Sequence, residues 1–148
     1  MEDKRNIFWF QIDGEKKLAT ENLIPKNQVY NEKLVKIKGT EYRIWNPFRS
    51  KLAATIMNGL RDFPFMQKSS VLYLGVSTGT TISHISDIVG QNGIIFGVEH
   101  TSRVARDFLD RVVSHRKNII PIIQDARKPQ EYFSVFKKVD VAYVDIAQ

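Results

Sequence analysis

Val71-Leu72-Tyr73-Leu74-Gly75-Val76-Ser77-Thr78-Gly79-Thr80-Thr81 is the stretch from which the topology of the chain can be worked out. Four apolar residues run into two glycines four apart, and two threonines open the helical pattern Ile82, Ile85, Ile88, Val89. So short an apolar run reads as a strand buried on both faces, as in a parallel sheet. Glycines after such a strand allow a sharp turn and the close approach of another group. The Thr80 and Thr81 hydroxyls then sit at a helix start, beside backbone N–H groups that have no intrahelical partner. In open α/β sheets, nucleotide-like ligands bind where strand end, Gly turn and helix N-terminus meet. An ordinary strand–helix connection fits two glycines as well.

The next segment discriminates. Gly93-Ile94-Ile95-Phe96-Gly97-Val98-Glu99 is a second apolar strand ending in a carboxylate, and Glu99 lies 24 positions after Gly75. That is close to the roughly 20-residue spacing at which an acid reaches a ribose in dinucleotide folds. Gly75-x-x-x-Gly79 is not, however, the G-x-G-x-x-G that cradles a pyrophosphate. A Gly turn and a ribose-binding acid without a pyrophosphate pattern suggest an adenosine ligand lacking phosphates, of which S-adenosylmethionine is the obvious example. The missing glycine pattern also disfavours a nicotinamide-dependent dehydrogenase.

Upstream, residues 6–12 are strand-like, Asp13-Gly14 is a hairpin turn signal, and 16–20 return. Tyr30, 34–37 and 41–45 predict further short strands around Lys38-Gly39-Thr40. Residues 1–45 thus read as a small antiparallel β appendage, with Trp9 and Phe10 supplying its core. Asn46-Pro47 predicts a helix with Asn46 as N-cap and Pro47 at its first position, ending before Gly59. Its apolar stripe is Phe48, Leu52, Ala53, Ile56, Met57 and Leu60, and Lys51 lies outside that stripe.

Downstream, a helix over 80–89 stops at Gly90, and a strand follows over 94–98. Ser102 is the expected cap of the next helix, and 118–123 forms a third strand. Pro121 cannot donate to a ladder, so that strand belongs at a sheet edge. A short helix over 130–136 leads to a fourth strand, 139–144, which ends at Asp145 on the carboxyl edge. Alternating strands and helices imply a parallel sheet with right-handed crossovers, and an edge third strand implies the order 3-2-1-4. The fold class is α/β: the first half of a Rossmann-like parallel sheet over 46–148, preceded by the 1–45 appendage.

Bulk properties narrow the classes. A chain of 148 residues with 43% hydrophobic content supports one domain, or one and a small appendage. It has no membrane-length apolar run and no secretory pattern, so no membrane role and a cytoplasmic location are expected. Without cysteine it has no disulfide and no thiolate metal site, and His84, His100 and His115 lack metal-ligand spacing. A net charge of +6 favours a polyanionic partner without specifying a sequence.

Longer runs resemble the fibrillarin family of C/D-box RNA 2′-O-methyltransferases, in its archaeal form. They are Asn46-Pro47-Phe48-Arg49-Ser50-Lys51-Leu52-Ala53-Ala54, Tyr73-Leu74-Gly75 through Gly79-Thr80-Thr81, Ser83-His84-Ile85-Ser86-Asp87-Ile88-Val89-Gly90, Asn118-Ile119-Ile120-Pro121 and Asp125-Ala126-Arg127. The resemblance implies methyl transfer from S-adenosyl-L-methionine to a ribose hydroxyl of rRNA or tRNA. It also implies assembly with a C/D-box guide RNA, the target RNA and the ribonucleoprotein's scaffold protein.

By motif position Lys51 and Asp145 correspond to the first two members of the family's Lys–Asp–Lys catalytic group. Thr80 and Thr81 correspond to the methionine end, Glu99 to the ribose, Asp125 and Ala126 to the adenine, and Gln148 to a position near Asp145. Asp145 near the sulfonium also favours a cationic cofactor. Lys26, Asn27 and Asn31 depart from the family pattern, as does Thr101-Ser102-Arg103.

Nothing corresponding to the family's second catalytic lysine lies in these 148 residues. The expectation is therefore a chain inactive on its own that associates, with itself or with a C-terminal half, through an exposed fourth strand. The alternative class is a non-catalytic module binding an adenosine ligand, RNA or a partner protein.

Overall fold

The computed structural model describes residues 5–147, and within them two four-stranded sheets share a main core, with a second, smaller cluster formed by Leu72, Phe96, Val98, Ile122 and Tyr132. The first sheet is antiparallel, in the order β1-β2-β4-β3, with β1 Ile7–Ile12, β2 Glu15–Glu21, β3 Leu34–Ile37 and β4 Thr40–Ile44. Both hairpins close through two-residue turns, Asp13-Gly14 (φ 52° and 79°) and Lys38-Gly39 (φ 49° and 89°). Positive φ at both central residues matches the right-handed twist of the flanking strands.

Tyr30, expected in a strand, lies in the connection between β2 and β3. The Glu32 carboxylate accepts the Val29 and Tyr30 N–H groups, so the Tyr30 donor serves a turn instead of a ladder.

The second sheet is parallel, in the order β7-β6-β5-β8, with β5 Ser70–Leu74, β6 Ile94–Val98, β7 Ile119–Ile122 and β8 Val141–Val144. This is the anticipated 3-2-1-4 order of a Rossmann-like methyltransferase sheet, and Pro121 lies on its β7 edge opposite Gly97. Among the described residues β8 pairs with β5 alone, and Val144 is exposed.

Helix α1 (Lys51–Met57) starts four residues later than Asn46-Pro47 suggested. Asn46 uses its Oδ1 to accept the Phe48 N–H (2.9 Å) and its carbonyl to accept the Arg49 N–H (3.1 Å), which closes a turn. Ser50, with extended backbone, is the N-cap and accepts the Ala53 N–H. Only Leu52, Ala53 and Ile56 are buried, and Phe48 falls outside the helix. Helix α3 (Ser102–Phe108) likewise has Thr101, not Ser102, at its N-cap and continues into a π-helical turn, Leu109–Val113. The helix expected near 130–136 is instead two 3₁₀ turns, Pro129–Glu131 and Phe133–Val135.

Helix α2 (Thr80–Val89) is wedged between the sheets, and every residue from Thr81 to Val89 is buried. Its Ile82, Ile85 and Ile88 join the core formed by Ile7, Leu18, Trp45 and Val71. Gly97 lets it approach β6, since a Cβ there would lie 2.9 Å from Ile82 Cδ1. The other face of α2 is polar and equally buried, so its groups must pair internally.

Asp87 accepts four hydrogen bonds: Arg116 Nη1 (2.6 Å) and the Leu23 N–H (3.1 Å) at Oδ1, Arg43 Nη1 (2.8 Å) and Thr20 Oγ1 (2.7 Å) at Oδ2. Glu32 takes Arg43 Nε at 2.7 Å. Burial alone would raise the Glu32 carboxyl, but the Arg43 charge and the Tyr30 and Val29 N–H groups hold it below the ordinary carboxylate range.

His84, one of the three histidines without metal-ligand spacing, is fully buried, stacked on Trp45, and placed between Thr20 Oγ1 and Tyr30 Oη at 2.8 Å each. Thr20 gives its single proton to Asp87, so His84 Nδ1 carries a proton and donates to Thr20. His84 Nε2 then accepts from Tyr30, whose phenol burial pushes up to about 12.

Burial, and then the charges of Arg43 and Arg116, push His84 well below the usual imidazole value. The unfolded chain therefore binds the proton first, and stability should fall as pH drops below about 6.5, by up to about 1.4 kcal/mol per pH unit. Urea unfolding between pH 7.5 and 5 should show this slope in the wild type and lose it in His84→Gln. Equal slopes would exclude His84 as its source.

Candidate active site

Three carboxylates follow three parallel strands directly or within three residues. Glu99 comes after β6, with its N–H donating to Ile122 O (3.1 Å). Asp125 comes after β7, and Asp145 follows β8, with its N–H donating to Leu74 O (3.0 Å). A parallel sheet splays its carboxyl ends toward one rim, and the rim here opens into a cavity of about 960 Å³. Lys51, Thr80, Thr81, Glu99, Asp125, Ala126 and Asp145 all line it. Gln148 lies outside the described residues.

The glycine turn forms the floor. Gly75 (φ 84°), Ser77 (φ 58°) and Gly79 (φ 97°) alternate in left-handed backbone, folding the chain back on itself between β5 and α2. A Cβ on Gly75 would stand 2.3 Å from Asp145 O, so this glycine is what lets the segment after β8 close over the turn.

Lys51 is the first residue of α1, where the helix dipole disfavours a cation. Asp145 compensates: Lys51 Nζ donates to its Oδ1 at 2.5 Å across the cavity mouth. The lysine side chain is 81% exposed and the aspartate 27% exposed, so the ammonium faces open space while its partner is rooted in the sheet. The Ser50 hydroxyl bonds Thr81 Oγ1 (2.9 Å) while capping α1, and so ties the lysine's helix to the Gly turn's helix. Its sequence signal, a serine three positions before Ala53, was masked by the stronger Asn-Pro pattern.

Beneath the floor, Tyr73 and Tyr143 pack at 4.8 Å between ring centroids. Burial, with Tyr143 and Asp145 adding to it, raises the Tyr73 phenol strongly. Burial and then Asp145 push Tyr143 to about 12. Both stay neutral near pH 7 and supply no base. On the far rim, Arg127 grips Asp125 through Nε (3.0 Å) and Nη2 (2.7 Å), and its N–H donates at 2.9 Å. These bonds hold the Asp125 carboxyl well below the usual carboxylate range. Arg127 sits two residues from Asp125, but only the folded turn shows that it faces back.

A positive charge held over a cavity lined by separated carboxylates can neutralise an oxyanion forming there, while the carboxylates receive hydroxyl or amine donors or a cationic ligand.

A family model described as fibrillarin matches residues 1–148. The chain is 54% identical over 136 residues to a fibrillarin-like rRNA/tRNA 2′-O-methyltransferase of Pyrococcus abyssi, an alignment covering 92% of this chain and 60% of that protein. In structure it is similar to Aeropyrum pernix fibrillarin in complex with natively bound S-adenosyl-L-methionine, with TM-score 0.96, 44% identity, and coverage of 100% of this chain and 64% of that one. It is also similar to the fibrillarin of a fibrillarin/Nop5p complex, with TM-score 0.82, 41% identity, and coverage of 100% and 65%. The chain thus spans about 60% of the length of the curated relatives it matches.

The steric role of Gly75 can be isolated from its backbone strain. Gly59 has a similar φ (91°) with nothing near its missing Cβ. Gly59→Ala should lose about 1 kcal/mol of stability from strain alone. Gly75→Ala should lose at least about 2 kcal/mol more, by forcing the Asp145 backbone away. Urea unfolding of the two variants measures the difference, and equal losses would remove the close approach as a constraint.

Proposed function

Because the chain belongs to the fibrillarin family, we propose that it serves S-adenosyl-L-methionine-dependent methylation of ribose 2′-hydroxyls in rRNA or tRNA. The Lys51–Asp145 pair poised over the carboxylate-lined cavity is the observation that carries this reading. The bland alternative for a helix-end lysine is a solvated charge, but such a charge gains nothing at a helix N-terminus.

The residues present fit the cofactor. Glu99 uses one oxygen for the His100 N–H (3.2 Å) and keeps acceptor capacity for a ribose diol. Asp125 and Ala126 offer an acceptor and an apolar surface for adenine. Thr80 and Thr81 open α2 at the end assigned to methionine. Asp145 places negative charge where a sulfonium would be held. When bound, the cofactor supplies an electrophilic methyl group for in-line displacement.

The chain's own part is positioning and charge. Asp145 directs the Lys51 ammonium to the cavity mouth, and the ammonium stabilises the negative charge developing on the 2′-oxygen, whose proton passes to solvent water at that open mouth. Tyr73 and Tyr143 keep the floor closed and neutral. Guide pairing selects the nucleotide, because a net charge of +6 supplies only sequence-independent attraction. A scaffold protein of the kind joined to fibrillarin in the Nop5p complex is the proposed protein partner. Robust site-specific methylation of naked RNA by this chain alone would contradict the guided reading.

Two substitutions separate binding from chemistry. Glu99→Ala should weaken calorimetric binding of S-adenosylhomocysteine by about 1.5–3 kcal/mol. Lys51→Ala should leave that affinity intact while lowering methyl transfer in the reconstituted guide complex by orders of magnitude. Unchanged affinity in folded Glu99→Ala, or a parallel loss of binding in Lys51→Ala, would overturn the respective roles.

A further inference from the structure

Phe48 is 96% exposed, and among the described residues the next most exposed large apolar side chain, Met66, is 61% exposed. A phenyl ring left in water contributes nothing to folding; singly exposed apolar residues are common, and what distinguishes Phe48 is its mount and its neighbours.

The ring stands on a fixed mount. Asn46 Oδ1 holds the Phe48 N–H and Asn46 O holds the Arg49 N–H. The Asn46 N–H in turn donates to Tyr30 Oη (3.2 Å), which is bonded to the buried His84. On the other side Ser50 is locked to Thr81. Phe48 therefore projects from a turn anchored to the core at both ends, so little conformational entropy is lost when a ligand covers it.

Its neighbours identify the ligand. Phe48 lies on the rim of the cavity that holds Lys51 and Asp145, three residues before the lysine. Arg49 and Lys51, which line the same cavity, follow it with exposed cationic groups, Arg49 lying over the Tyr30 ring at 5.8 Å. An exposed aromatic ring on the same cavity rim as two cations suits a nucleobase stacked on the ring with its phosphates on the charges. An apolar protein partner would leave both charges buried and unpaired.

We propose that Phe48 is a substrate-binding residue that stacks on an unpaired nucleoside at or next to the acceptor ribose, holding the RNA strand at the Lys51 mouth. This assignment rests on the methyltransferase reading for the identity of the acceptor, and its test is separable from that reading.

Protein loaded with S-adenosylhomocysteine is titrated with a short single-stranded oligoribonucleotide carrying 2-aminopurine at its centre, whose fluorescence is quenched by stacking. Binding of S-adenosylhomocysteine is measured by calorimetry on the same preparations. Wild type and Phe48→Tyr should quench the probe. Phe48→Ala should bind the RNA roughly tenfold more weakly and lose the quenching, with S-adenosylhomocysteine affinity unchanged. Equal RNA affinity and quenching in Phe48→Ala and wild type, or no RNA binding by wild type, would overturn the proposal even with S-adenosylhomocysteine bound normally. Phe48-dependent quenching without S-adenosylhomocysteine binding would support the RNA contact while striking the methyltransferase reading.

Discussion

The buried carboxylate of Asp87 is the constraint on which the relation between the two sheets depends. It lies on α2, between Arg43 of β4 and Arg116 beyond α3, and also takes the Thr20 hydroxyl from β2 and the Leu23 N–H from the connection after it. Taking one partner away from a buried ion pair typically costs about 3–5 kcal/mol, because the remaining charge is left without water or counter-charge. Glu32 is a second partner of Arg43, so the two guanidinium groups are balanced by two carboxylates. Such a network stabilises one arrangement and penalises every shifted one, which is why a helix can be polar on one face and still be buried.

That arrangement reaches the cavity through hydrogen bonds. From Asp87 the chain of contacts runs through Thr20, His84 and Tyr30 to the Asn46 N–H, at the head of the turn that carries Phe48 and leads to Ser50 and Lys51. The first sheet is therefore part of what holds the Lys51 segment. Across the cavity Asp145 is placed by the parallel ladder and by the absence of a side chain at Gly75. Lys51 and Asp145 meet because two rigid supports, one from each sheet, converge on the same rim.

What could be read from the chain by itself follows from local and periodic physics. Apolar runs bounded by glycines marked the parallel strands, and Pro121 marked an edge because proline lacks a ladder donor. With that edge the strand order followed, and with it the carboxyl rim carrying Glu99, Asp125 and Asp145. Asp13-Gly14 and Lys38-Gly39 marked hairpins through their tolerance of positive φ.

Other features needed the folded chain, because they depend on which distant groups compete for the same donor. Asn46-Pro47 is a sound helix start by local rules, yet Asn46 spends its acceptors on a turn, Ser50 takes the cap, and Phe48 leaves the core stripe for the rim. The pairing of His84 with Thr20 and Tyr30 spans 64 and 54 residues, and that of Arg43 with Asp87 spans 44. No periodicity carries such information. Sequence alone determined the order of the sheet and the positions of its acids; tertiary structure decided which charges face each other, because only packing settles which buried groups must satisfy one another.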